Sequence, residues 1–100
     1  MSSVSRYEWD VGNLIKCQSH GVTIDEIEYT LDSDPFLFPD YGHSGVEERT
    51  IAIGNNRDGR PVFVVFTIRI TEGREVVRPI SARYMHRKEI DKWVEEKYRS

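Results

Sequence analysis

The sequence predicts an α+β domain, and three observations carry that prediction. Two short helix-patterned segments open the chain, three or four strand-patterned segments then follow without a helix between them, and one amphipathic helix closes it. Grouped strands with helices at the ends argue for an antiparallel sheet with helices packed on it, not for the alternating order of a parallel α/β fold. At 100 residues, 38% hydrophobic and 31% charged, the chain suits one domain, residues 1–100, built around one core.

Each element has a local reason. Tyr7-Glu8-Trp9 reads as a short strand, and Asp10 is a good N-cap for a helix over residues 11–19. Leu14 and Ile15 are the positions expected to turn inward, with Cys17 a further candidate, and Gly21 stops the helix. Thr23 and Glu26 stand at capping-box spacing, Ile24, Ile27 and Leu31 follow at helical intervals, and this second helix ends at Asp34-Pro35.

Phe36-Leu37-Phe38 is a candidate strand, and residues 39–45 are a loop rich in breakers. Residues 48–54 alternate as a strand with Ile51 and Ile53 on one face. Residues 55–60 form a hairpin connection with Asp58-Gly59 as its turn signal. Residues 62–70 are apolar on both faces, as a central strand requires. Thr71-Glu72-Gly73 turns the chain back into a strand over 76–83. Pro79 has no N–H, so it predicts a bulge or a point where no ladder bond is needed. A helix over about 87–98 follows, with Ile90, Trp93, Val94 and Tyr98 on one side and a surface pair, Glu95 and Arg99, on the other.

Composition excludes several classes. No run approaches the roughly 18 apolar residues of a membrane span. Residues 1–6 lack the apolar stretch of a signal peptide. Cys17 is the only cysteine, which rules out an internal disulfide and suits a reducing compartment, so the expected location is the cytoplasm. The net charge is −3, whereas phosphate-binding proteins usually present a basic face. Acidic residues gather at Asp25, Glu26, Glu28, Asp32 and Asp34 and again at Glu95 and Glu96. Basic ones crowd the second half at Arg57, Arg60, Arg69, Arg74, Arg78, Arg83, Arg87 and Lys88. A polarised molecule is the expectation.

Few motifs carry chemistry. Cys17 and His20 are three apart on a helix, but two ligands make no structural zinc site, so no metal and no cofactor is expected. His43 lies in a loop beside Ser44, and adjacency alone does not hold a nucleophile against a base. Gly42-His43-Ser44-Gly45 lacks the preceding strand and following helix of a phosphate loop. Arg69 and Arg83 stand near the ends of two long strands. Each is either a surface ion-pair member or part of a set of forked donors for a phosphate, and strand register decides which. His86 reads as an exposed residue at a helix start, or as a proton carrier if that helix start faces a site.

Taken together, Glu8-Trp9-Asp10, Gly12-Asn13, Lys16, His20-Gly21-Val22, Glu47-Glu48-Arg49, Gly59-Arg60, the run from Phe63 to Arg69, Ile80-Ser81-Ala82-Arg83 and Arg87-Lys88-Glu89 resemble the BrnT toxin family over residues 7–98. The resemblance implies a RelE-like fold, a curved antiparallel sheet with helices packed on it. It implies a ribonuclease toxin that cuts RNA without a metal and suppresses translation. It also implies a BrnA-like ribbon-helix-helix antitoxin, two copies of each chain in a heterotetramer, and operator DNA bound only through the antitoxin. Lys16, His20, Arg49, Arg69 and Arg83 fall at the family's recurring basic positions and are the implied catalytic set. In it Arg69 and Arg83 hold the phosphate, His20 carries the proton, Lys16 adds charge, and Arg49 is catalytic or a scaffold residue. Arg60, Arg87 and Lys88 are the expected further substrate contacts. This account needs Arg69, Arg83 and His20 to converge in one depression. An interaction module that binds the antitoxin without cleaving RNA is the alternative.

Overall fold

The computed structural model describes residues 6–40 and 47–97. Among them are three helices, α1 (Val11–Gln18), α2 (Ile24–Asp32) and α3 (Arg87–Lys97). Four strands, β1 (Phe36–Pro39), β2 (Thr50–Asn55), β3 (Pro61–Thr71) and β4 (Arg74–Tyr84), form one open antiparallel sheet in the order β1-β2-β3-β4. The fold is α+β.

Both N-terminal helices begin as their sequences dictate. Asp10 accepts from the Asn13 N–H at 3.1 Å, and Asn13 Oδ1 accepts from the Asp10 N–H at 2.8 Å. Thr23 and Glu26 close the same reciprocal box on α2, at 3.1 and 3.0 Å. Cys17 of α1 turns inward as expected, but Ile15 does not. Ile15 is 69% exposed, whereas Asn13 and Cys17 are buried. Asn13 tolerates burial because its amide is satisfied, donating to Glu8 O and Pro79 O, both at 2.9 Å.

The core lies between α1, α2 and one face of the sheet. Cys17, Val22, Ile27 and Leu31 meet Ala52, Val62, Val64, Phe66 and Ala82 there. Each fully buried valine or isoleucine contributes about 1.5–3 kcal/mol. Alternation sends Ile51, Ile53, Phe63, Val65, Thr67 and Arg69 to the opposite face. There α3 covers one end, with Trp93 edge-on to Phe36 at 5.3 Å between ring centroids. Tyr98 and Arg99 of the expected helix lie outside the described residues, as do His43 and Ser44.

Residues 7–9 do not form a strand of their own. Tyr7 makes a single parallel bridge to Val77, with Glu8 N donating to Val77 O and Val77 N to Arg6 O, both at 2.9 Å. The segment lies along the outer edge of β4.

Pro79 sits at a bulge. Val65 pairs with Ser81 but Phe66 pairs with Pro79, so Ile80 is an extra residue in β4. The insertion reverses the parity of the strand. Arg83 and Ser81 on one side of the bulge, and Arg78 and Val76 on the other, therefore share the face turned away from α1 and α2.

Candidate active site

On that face, beyond the end covered by α3, two arginines, Arg69 and Arg78, meet three carboxylates. Arg78 pairs with Thr67 across β4 and β3, and Arg69 lies two residues further along β3. Arg78 Nη1 donates to Glu8 Oε1 at 3.2 Å and to Asp10 Oδ2 at 2.8 Å. Arg69 Nη1 stands 3.6 Å from the same Glu8 oxygen, and its Nε donates to Glu47 Oε1 at 3.2 Å. Arg49 immediately precedes β2, next to Thr50, and is half-buried. Its carbonyl accepts from Asp40 N, so pairing continues past the strand end and alternation turns Arg49 to this same face.

The electrostatics follow from these contacts. The Arg78 guanidinium and then the Asn13 N–H hold the Asp10 carboxyl below its usual range. Asp10 in turn raises Arg78, whose side chain is only 17% exposed. Arg69 is 46% exposed and remains open to solvent and to an anion. Guanidiniums arranged this way offer forked N–H donors to phosphoryl oxygens.

The other expected site residues lie elsewhere. Arg83 shares the sheet face but pairs with Phe63, six residues from Arg69 along β3, or roughly 20 Å away. It is clamped there. Its two terminal nitrogens donate to the two oxygens of Glu89 at 2.7 and 2.8 Å, and its guanidinium lies 4.3 Å from the centroid of the Phe63 ring. Arg87 and Lys88 are exposed at the start of α3, next to exposed His86.

His20 and Lys16 belong to the α1 side of the sheet, and both are exposed. His20 adjoins Gly21, whose carbonyl accepts from the Tyr84 hydroxyl at 3.4 Å, and Arg60 stacks on the Tyr84 ring at 3.6 Å. His20 and Arg60 thus flank Tyr84, separated from Arg69 by the thickness of the sheet. Cys17 is fully buried while His20 is exposed, so the two do not face one ion. Arg69, Arg83 and His20 do not converge.

Sequence reasoning missed Arg78, Glu8 and Asp10 as members of the site. Arg78 is hidden by the bulge, because uninterrupted alternation from Arg83 would place it on the helix-covered face. Pro79 was the available signal.

A small α+β domain presenting clustered arginines and carboxylates on an open sheet face has the equipment of a phosphodiester-binding protein. Residues 9–89 match the family described as the ribonuclease toxin, BrnT, of type II toxin–antitoxin systems, and the chain belongs to that family. No curated protein matches it. The match covers every described element except the later part of α3. Membership points to a ribonuclease toxin with an antitoxin partner. Among the described residues, no helix is long and apolar enough to cross a membrane.

Proposed function

We propose that the chain is an endoribonuclease toxin whose reacting centre is the Arg69–Arg78–Glu8 cluster. The observation that carries this is the convergence of two guanidiniums on one carboxylate oxygen, at 3.6 and 3.2 Å, on an open sheet face. An incoming phosphodiester competes with Glu8 for both arginines. The non-bridging oxygens then take the forked donors, with Arg49 adding charge from just before β2. The displaced Glu8 carboxylate accepts the proton of the adjacent 2′-hydroxyl, which attacks phosphorus. The 5′-oxygen leaves with a proton from water or a neighbouring acid. The products are a 2′,3′-cyclic phosphate and a 5′-hydroxyl.

His20, Lys16 and Arg60 act in this reading as RNA contacts outside the centre, and Arg83, Arg87 and Lys88 as contacts on the α3 side. The family match supports a ribonuclease toxin with an antitoxin; in this reading the toxin acts in the cytoplasm, suppresses translation and is held by a BrnA-like antitoxin in a heterotetramer, with operator DNA bound through the antitoxin. The test is to incubate purified chain with RNA and analyse the new ends. Cyclic phosphate and 5′-hydroxyl ends are expected, and 5′-phosphate ends would contradict the mechanism.

One observation favours the second reading, an interaction module without catalysis. Arg69, Arg78 and Arg83 all hold carboxylate partners of the chain itself. Under that reading RNA stays uncut and expression leaves growth unchanged.

A further inference from the structure

The described residues leave part of the helix-covered face of the sheet uncovered. Past the end of α2 lies a groove of about 560 Å³ whose floor is Leu31, Leu37, Phe66, Ile68 and Val77. Leu37 is 57% exposed and Ile68 45%, and Ile70, on the same face of β3, is 69% exposed. Contiguous apolar surface of this kind on a small domain marks an interaction site. The groove is on the opposite sheet face from Arg69, Arg78 and Glu8.

The rim is acidic. Asp32 and Asp34 line the groove, and the segment that borders it, residues 24–35, holds no lysine or arginine. Among the described lining residues Arg6 is the one cation; it pairs with Asp32 at 3.0 Å, so Asp34 sets the net sign of the rim. A phosphate backbone is repelled here, and a neutral apolar ligand leaves the rim charge unanswered. Apolar side chains flanked by lysine or arginine satisfy both floor and rim.

We infer that this groove is the docking surface for the antitoxin, through an apolar segment of that protein bordered by basic residues. The inference rests on membership in a toxin–antitoxin family and not on the ribonuclease centre, which occupies the other face. The antitoxin therefore grips the toxin from behind the centre, and its apolar segment need not enter it.

The test is calorimetric titration of the full chain with the antitoxin encoded beside it, at low and at high salt. Leu37→Glu and Ile68→Glu, both at exposed positions, should weaken binding about tenfold or more. Asp34→Asn, which the φ of 52° tolerates, should weaken it several-fold at low salt and reduce the salt dependence. Val11→Asp, at a 73% exposed position away from the groove, should bind as the parent does. Parent-like affinity in both glutamate variants, with unchanged circular dichroism, overturns the proposal. So does a concentration-dependent dimer of the chain that Leu37→Glu abolishes without affecting the antitoxin, since the occupant is then a second copy. Binding is read without RNA, so failure of the nuclease reading leaves this result distinct.

Discussion

Arg69 and Arg78, on neighbouring antiparallel strands, approach the same Oε1 atom of Glu8 at 3.6 and 3.2 Å. Two like charges are brought close by one carboxylate, and a phosphodiester in that place would satisfy the same donors. In the proposed mechanism Glu8 competes with substrate for the arginines and, once displaced, accepts a proton. Glu8→Gln separates these roles. RNA should bind several-fold more tightly, while cleavage falls by about 10²-fold, a usual contribution of a positioned base. Filter binding and single-turnover cleavage measure the two effects.

At Gly54 the sheet packs tightly against Thr30 of α2 and against Pro35. A Cβ added there would stand 3.1 Å from Thr30 Cγ2 and 3.3 Å from Pro35 Cβ, with backbone behind them. Gly54→Ala should cost about 1–3 kcal/mol through overpacking, measured by urea denaturation.

Glu89 joins α3 to the sheet and makes stability depend on pH. The Arg83 guanidinium, followed by the His86 N–H, lowers its carboxyl from 4.5 to about 2. The folded value is depressed, so the contribution is present above pH 4.5 and is lost as pH falls toward 2. Both side chains are about a third exposed, and after solvent screening it amounts to about 1 kcal/mol. Parent and Glu89→Gln should differ in melting temperature at neutral pH, and the difference should shrink between pH 4.5 and 2.

Tyr7 titrates in the opposite sense. Burial first, and then its hydrogen bond to Asp32, raise the phenol above its ordinary 10.0. Its contribution is complete below pH 10 and fades as pH rises further. Tyr7→Phe should cost about 1 kcal/mol at neutral pH, and the deficit should narrow in alkaline denaturation series.

Much of the fold was legible because local signals agreed with tertiary need. The Thr23–Glu26 box, the apolar run of β3 and the Glu72-Gly73 turn, with φ of 52° and 76°, lie where the sequence put them. The inward face of α1 was not fully legible, since an asparagine satisfied by Glu8 O and Pro79 O occupies a place that apolar periodicity assigns to isoleucine. The site was legible only in part. Arg69 carried its own signal, but Arg78 joins it through the Ile80 insertion, and Glu8 arrives on an edge segment about seventy residues away in sequence. Strand pairing with that reach leaves no local trace. His20 looked suitable by chemistry, yet α1 carries it to the other side of the sheet.

The most direct test compares Arg69→Ala with His20→Ala in cleavage of one RNA by purified chain. The open-face centre predicts that Arg69→Ala loses about 10²–10³-fold in rate, as removal of an oxyanion-type donor does, while His20→Ala retains the rate within about tenfold and changes mainly the apparent affinity. A His20→Ala variant that loses cleavage while Arg69→Ala keeps it would contradict the account.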